Sequence, residues 1–305
     1  GKGDGQEKIS IKLGQLVNNF ESLKSMFDTK KNTDKSKKEF NLGFVFENVN
    51  VTEQLGQYVP LDMIKAKKGL LNGTLNLTDG NPEKKIRATG KLTVKNGTLS
   101  YVDYEGDIEN ADAVIDMKGN TITVDAVKMF NNDPLTFKMN ADIDEGKLNI
   151  KLNAVNTPFQ EISRYKLLKD VKAFGNVTGN LNADINTKTK ETTLDGKFSS
   201  PNIKLGGYNF RDIKTGIAMN KDQILTVENT SFNFDETIGG FKIKDYVSSK
   251  KFVYNVKEKN GSGDYTISNR GSDYEIAEIN GTGKIDKNNT ITGNFNSNKI
   301  DGNFV

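Results

Sequence analysis

The chain of 305 residues contains no histidine, no cysteine and no tryptophan. Without histidine it lacks the commonest general base and the commonest protein ligand of transition metals. Without cysteine it has no disulfide, no thiolate nucleophile and no thiolate zinc site. Catalysis by carboxylate, lysine or tyrosine side chains stays open in principle. We nevertheless expect a protein that is not an enzyme and that uses no cofactor and no metal.

The chain also lacks an excess of charge of either sign, with 43 Lys+Arg against 40 Asp+Glu. Only four of these cations are arginine, the residue that binds phosphate through two parallel hydrogen bonds. A nucleic-acid-binding protein shows a concentrated basic patch, so we expect no nucleic-acid partner. No apolar run of about 18 residues is present, so this chain is predicted to have no transmembrane segment. Its polar start without a methionine and its strand-like end indicate a fragment of a longer protein.

The chain repeats itself at an offset of 106 residues. Residues 73–76 (Gly-Thr-Leu-Asn) match residues 179–182 (Gly-Asn-Leu-Asn), and the Gly-Lys-Leu at 90–92 matches the Gly-Lys-Phe at 196–198. Such a period predicts stacked repeats that extend one apolar face lengthwise. We predict four parts: an N-terminal amphipathic helix and charged loop at 1–40, a first β unit at 41–145, a second at 146–240, and a shortened third at 241–305.

Apolar and polar residues alternate within each unit, for example over 71–78 and 148–154. This period of two is typical of half-buried strands, here with an expected length of about six residues. Turn-forming residues separate the runs at 78–82, 95–97, 118–120 and 144–146. We therefore predict a mostly β fold with a meandering antiparallel sheet. Helix is predicted only over about 11–28 and, as a short helix or turn, around 159–171.

A sheet with one apolar face must cover that face, and too little helix is predicted to do so. A sandwich, a closed barrel and a trough that holds an apolar ligand remain open on these grounds. The repeat favours the trough, because each unit stacks on the next and extends the same apolar face lengthwise. A lining of interchangeable aliphatic and aromatic residues also suits a lipid tail. The predicted groove lining consists of Leu75, Leu77, Leu92, Val94, Ile122, Val124, Leu135, Phe137, Met139, Leu148, Ile150, Leu152, Val177, Leu181, Phe198, Ile203 and Leu205.

Three segments, 69–77, 88–101 and 171–181, resemble the AsmA-like superfamily of bacterial envelope proteins, and within it the TamB-like proteins. The resemblance covers roughly residues 40–235. It implies a curled antiparallel sheet that forms an elongated apolar trough, the β-taco. It also implies a location in the periplasm of a diderm bacterium, with the full-length protein anchored in the inner membrane.

On this basis we expect a segment of a bridge-like lipid transport protein that shields phospholipid acyl chains between the inner and outer membranes. Phospholipid is the expected ligand, and an outer-membrane β-barrel protein is a further candidate partner. Two alternatives remain open. One is a scaffold or chaperone that assembles outer-membrane β-barrel proteins by pairing with their strands. The other is a surface adhesin made of β repeats.

Overall fold

The computed structural model describes residues 9–12, 41–51 and 64–305. Within these ranges the chain is mostly β, as predicted, and one four-residue helix is present. The strands are β1 Ile9–Lys12, β2 Asn41–Asn50, β3 Ile64–Thr78, β4 Arg87–Tyr101, β5 Asp107–Gly119, β6 Thr121–Phe130, β7 Asp133–Asp142, β8 Lys147–Pro158, β9 Ala173–Asn186, β10 Thr192–Leu205, β11 Tyr208–Met219, β12 Ile224–Ile238, β13 Phe241–Asn255, β14 Asn260–Asn269, β15 Glu278–Ile285, β16 Ile291–Asn296 and β17 Asp301–Phe304.

The chain forms two compact units. Unit 1 comprises 1–128 and 138–145, and its strands β2 to β6 pair antiparallel in chain order. Unit 2 comprises 129–137 and 146–305, and its strands β8 to β17 pair antiparallel in chain order. The strands after residue 240 therefore continue the sheet of unit 2.

The helical predictions have two different outcomes. A helix, α1 (Phe159–Ile162), and a 3-10 turn at Lys166–Leu168 confirm the short helix or turn predicted between the copies. The helix predicted over about 11–28 is wrong at its first two positions. Ile11 and Lys12 lie in β1, which pairs parallel with β2. The alternation Ile-Ser-Ile-Lys over residues 9–12 has the period of two that is typical of a strand. Residues 13–28 lie outside the described ranges.

The repeat is visible in the strand register. In unit 1, Leu75 lies opposite Gly90 and Gly73 lies opposite Leu92. In unit 2, their counterparts pair in the same way: Leu181 with Gly196, and Gly179 with Phe198. Each glycine leaves room for the neighbouring strand. A Cβ at Gly179, for example, would lie 2.2 Å from the carbonyl oxygen of Lys197.

Most strands are 10–15 residues long rather than about six, because they continue through positions where the sequence suggested an end. The turn predicted at 95–97 is wrong: Asn96 lies inside β4 with φ 51°, where the register shifts. Asparagine tolerates this left-handed conformation in a β-bulge as well as in a turn. Similar left-handed residues interrupt other strands: Asn48, Asn110, Asn156, Asp212 and Asn229.

A recurring hydrogen bond involves the backbone N–H at three of these left-handed asparagines and at the irregularity in β13. In each case a side-chain oxygen from the next strand accepts the bond. The pairs are Asn48 N–H to Asn72 Oδ1 at 2.8 Å, Asn96 N–H to Asp112 Oδ1 at 2.9 Å, Asn156 N–H to Thr178 Oγ1 at 2.9 Å, and Lys250 N–H to Asp264 Oδ2 at 2.9 Å. The same device therefore occurs in both units, at exposed positions of the strands.

The bulges also preserve the apolar face. An extra residue shifts the alternation of side chains by one position. In β4 the apolar positions before the bulge are the even-numbered Leu92 and Val94, and the apolar position after it is Leu99. A long strand can therefore bend and still present its apolar residues on one face.

We expect Gly179→Ala to lower the free energy of unfolding by roughly 1–3 kcal/mol, because the new methyl group would overlap the Lys197 carbonyl. Gly283→Ala is the matched control, since its Cβ would have only the Thr292 carbonyl oxygen nearby, at 3.9 Å. Urea unfolding of both variants measures the difference. Equal effects would contradict the role assigned to the glycine in the close strand contact.

Asp264 predicts a pH-dependent contribution to stability. The pKa of the Asp264 carboxyl group is lowered, chiefly by the hydrogen bond from the backbone N–H of Lys250. The backbone N–H of Lys251 acts in the same direction. Because the folded pKa lies below the unfolded one, this contribution is complete above about pH 4 and is lost as the pH falls through the folded pKa. The difference in unfolding free energy between wild type and Asp264→Asn should therefore shrink on acidification.

Urea unfolding over a series of acidic pH values checks this expectation. Asp222→Asn, in an exposed turn, is the matched control. A wild-type advantage over Asp264→Asn that stays constant down to the lowest pH would show that the carboxylate charge is unimportant at this bulge.

Candidate functional site: an apolar sheet face

Unit 1 carries a continuous apolar face across β2 to β6. One row of directly opposed residues runs through Phe44, Leu75, Gly90, Met117 and Ile122. The next row runs through Phe46, Gly73, Leu92, Ile115 and Val124. This face is best covered over β2, where Leu42, Phe44 and Phe46 are buried and pack against leucines of β3 and β4.

Unit 2 carries an apolar face that crosses more strands. The row that begins at Leu152 crosses all ten strands from β8 to β17. Its members are Leu152, Leu181, Gly196, Ile217, Val227, Phe252, Gly263, Gly283, Gly293 and Phe304. In this row large apolar side chains stand on β8, β9, β11 to β13 and β17, and glycine stands on β10 and on β14 to β16. Most of the large apolar side chains of the row therefore lie on β8 to β13.

The predicted lining residues fall into sets that share a face within each unit. In unit 1 the register places Leu75, Leu77, Leu92, Val94, Ile122 and Val124 on one face. In unit 2 it does the same for Leu148, Ile150, Leu152, Val177, Leu181, Phe198, Ile203 and Leu205. Leu135, Phe137 and Met139 lie on β7 and are partly buried. Leu205 differs from all the others because it is 44% exposed, at the tip of a hairpin.

Within the residues that the structure describes, no second layer seals the face of unit 2. Among the described apolar residues of this unit, only the small side chains of Ala154 and Ala173 are buried. Leu181, Ile217 and Phe252 all remain partly exposed. The inner face of a β-sandwich interdigitates with its partner sheet and is removed from water. The structure therefore presents a large apolar surface on which a ligand or partner could bind.

An aromatic cluster occupies part of this face and was missed by the sequence analysis. The rings of Phe210 and Phe232 meet edge to face, with centroids 5.3 Å apart. Phe234 lies 5.5 Å from Phe210 and 5.9 Å from Tyr208. The sequence feature that could have predicted it is the spacing of two residues between Tyr208 and Phe210 and between Phe232 and Phe234. This spacing places both rings of a strand on the same face.

One carboxylate interrupts the apolar face. Asp245 lies directly opposite Phe234 and is 8% exposed. Its Oδ1 accepts hydrogen bonds from the Tyr274 hydroxyl at 2.5 Å and from Ser272 Oγ at 2.8 Å, both in the connection between β14 and β15. Burial, followed by the bond to Asp245, raises the pKa of Tyr274 to about 12. This cluster fastens the β14–β15 connection to β13.

The described part of the chain offers few features other than this face. It contains no group of three or more carboxylates that could hold a metal ion. None of its helices is long and apolar enough to cross a membrane. The arrangement is suited to apolar contact over a wide area, which favours a flexible hydrocarbon ligand over a compact polar one.

The Asp245–Tyr274 hydrogen bond predicts a loss of stability at alkaline pH. Because the folded pKa of Tyr274 is raised, its contribution is complete below about pH 10 and is lost as the pH rises towards its folded value. Tyr274→Phe should make the unfolding free energy decline less at alkaline pH. At neutral pH it should lower the unfolding free energy by roughly 1–3 kcal/mol, because it removes a hydrogen-bond donor from a buried carboxylate.

Urea unfolding between neutral and alkaline pH, together with an absorbance titration of the phenols, measures both effects. Tyr208→Phe, which removes one phenol at an exposed position, is the matched control. A late phase of undiminished amplitude in Tyr274→Phe would contradict the assignment.

No protein family, curated protein or solved structure matches the chain. The resemblance to the AsmA-like superfamily therefore depends on the sequence of residues 69–77, 88–101 and 171–181 alone.

Proposed function

We propose that the apolar faces bind the acyl chains of phospholipids, and that the chain is a segment of a bridge-like lipid transport protein. The observation that carries this proposal is the face of unit 2, which spans ten strands and has no large buried apolar side chain among its described residues. A folded protein rarely leaves so extended an apolar surface without a partner. A hydrocarbon ligand would cover it without requiring specific polar contacts.

The energetics agree with such a role. Each methylene group that moves from water to an apolar surface contributes about 0.8 kcal/mol, so an acyl chain gains several kcal/mol from contact along most of its length. The gain depends on area and not on the identity of any one residue. A lining of mixed leucine, isoleucine, valine and phenylalanine is therefore sufficient for binding and compatible with sliding.

The proposed setting follows from the resemblance to AsmA-like proteins. The segment would act in the periplasm of a diderm bacterium, as part of a protein anchored in the inner membrane. There it would shield phospholipid tails on their way between the two membranes during outer-membrane biogenesis. The role is that of a conduit and not of an enzyme, and the absence of histidine and cysteine from the sequence is compatible with it.

A charge on the apolar face tests the proposal. Leu181 lies on β9, in the row of unit 2 between Leu152 and Gly196. We expect Leu181→Asp to weaken acyl-chain binding by roughly tenfold or more, because lipid tails would have to contact a desolvated carboxylate. Since the face is partly exposed, the variant should still fold, with a loss of stability of roughly 2 kcal/mol.

The matched control is Asn180→Asp, which places the same charge on the opposite face, across from Lys197. Binding is measured with a fluorescent fatty acid and by native mass spectrometry of co-purified phospholipid, and folding is measured by thermal melting. A folded Leu181→Asp protein that binds lipid as tightly as Asn180→Asp would refute the proposal. The scaffold for β-barrel assembly would then become the preferred function.

A further inference from the structure

Two hairpins of unit 2 share an unusual tip. Leu205-Gly-Gly-Tyr208 joins β10 to β11, and Ile238-Gly-Gly-Phe241 joins β12 to β13. In both tips the two glycines have positive φ, 60° and 86° in the first and 57° and 81° in the second. This is the two-residue turn that tightly connects antiparallel strands, and glycine adopts it without strain. Each tip therefore presents one aliphatic and one aromatic residue immediately beside the turn.

The four flanking side chains are large, apolar and exposed. The exposed fractions are 44% for Leu205, 41% for Tyr208, 41% for Ile238 and 45% for Phe241. Leu205 lies directly opposite Tyr208, and Ile238 lies directly opposite Phe241. The two hairpins lie at the same end of the strands, because β11 and β12 are neighbours and pair with Phe210 opposite Phe234. These four residues and their glycines are called the Gly–Gly tips below.

The turns at the opposite end of the same strands have a different composition. They are Thr187-Lys-Thr-Lys190, Asn220-Lys-Asp-Gln223, Val256-Lys-Glu-Lys259 and Asp286-Lys-Asn-Asn-Thr290. Charged and amide side chains dominate these turns, as is usual for turns in water. The four turns at the opposite end contain no Gly–Gly pair flanked by an aliphatic and an aromatic residue, so this composition distinguishes the two Gly–Gly hairpins from them.

Positive charge accompanies the exposed apolar residues. Lys204 precedes the first tip and Lys242 follows the second, and both are exposed. Two carboxylates, Glu236 and Asp273, also lie close to this end of the strands and keep their negative charge, and each is held by a backbone N–H. Glu236 Oε1 accepts from the backbone N–H of Asn209 at 2.7 Å, and Asp273 Oδ2 accepts from the backbone N–H of Lys242 at 2.7 Å. Apolar tips flanked by lysine complement the surface of an anionic bilayer.

We propose that the Gly–Gly tips insert into the surface of an anionic lipid bilayer and dock this end of unit 2 on the membrane. Tyrosine and phenylalanine rings suit the boundary between headgroups and acyl chains, and lysine attracts the headgroup phosphates. The ring of Tyr208 contacts Phe234, which in turn contacts Phe210. Aromatic contacts thus continue from the docked tip into the apolar face. The docking does not depend on the binding of single lipid chains proposed above.

The absence of tryptophan from the chain provides a direct test. Tyr208→Trp and Phe241→Trp each place one fluorescent reporter at a tip. On addition of phosphatidylcholine–phosphatidylglycerol vesicles, we expect a blue shift of the emission and quenching by brominated acyl chains. Val256→Trp, 40% exposed in a turn at the opposite end, is the matched control and should show neither change. The absence of a shift at both tips, or an equal shift at residue 256, would overturn the proposal.

Loss of binding is tested by vesicle flotation. Tyr208→Ser combined with Phe241→Ser should weaken binding by roughly ten- to a hundredfold, because two aromatic side chains no longer leave water. Lys204→Gln combined with Lys242→Gln, which changes only exposed side chains, should weaken binding to anionic vesicles and leave weak binding to pure phosphatidylcholine unchanged. A lysine variant that binds anionic vesicles as well as wild type would count against the proposal even if the serine variant failed to fold.

The two proposals fail separately. Leu181→Asp should lose fatty-acid binding and keep vesicle docking, whereas the tip variants should show the reverse. The alternative to a membrane is a second copy of this chain that binds the Gly–Gly tips, and sedimentation velocity tests for such self-association. If the tips mediate self-association, the tip variants will change the mass of the particle, and wild type will not bind vesicles. That combination would also overturn the membrane proposal.

Discussion

Placement of the apolar side chains on one face of each sheet is the constraint on which the rest of the structure depends. Neighbouring strands keep apolar residues directly opposite one another, as in the row from Phe44 through Leu75 to Ile122 in unit 1. A slip of one residue in any strand would turn its apolar side chains to water. The left-handed asparagines bend the strands and shift the alternation at the same time. Side-chain acceptors such as Asp112 and Thr178 then satisfy the backbone N–H groups of the bulges.

Glycine residues on the apolar face also maintain this arrangement. Gly73 and Gly90 in unit 1, and Gly179 and Gly196 in unit 2, stand where a side chain would meet the backbone of the next strand. The large residue opposite each glycine, such as Phe198 opposite Gly179, then fills the space on the apolar face. This complementarity explains why both elements of the Gly-x-Leu pattern are repeated. It keeps the strands close while the surface stays apolar.

The two proposals assign different ligands to two regions of unit 2: acyl chains to the apolar face and a bilayer surface to the Gly–Gly tips. The face offers area without specific polar contacts, which suits a ligand that is long and chemically uniform. The tips combine exposed aromatic residues with lysine, which suits a surface that is apolar below and anionic above. The cluster of Tyr208, Phe210, Phe232 and Phe234 connects the two regions by direct ring contacts. A lipid that leaves a bilayer at the tips would therefore meet an apolar surface immediately.

The sequence by itself determined the β class, the repeat and the residues that share a face, because a period of two is a local property of each strand. It identified Leu75 and Leu181, and Gly90 and Gly196, as equivalent positions of the two copies. The pairing of each leucine with its glycine was not predicted, since register requires the neighbouring strand. It could not separate a bulge from a turn at Asn96, because asparagine with positive φ serves both and the choice depends on the acceptor at Asp112. The exposure of the face of unit 2 and the meeting of two distant Gly–Gly tips at one edge were likewise decided by tertiary structure, because both depend on which strands become neighbours.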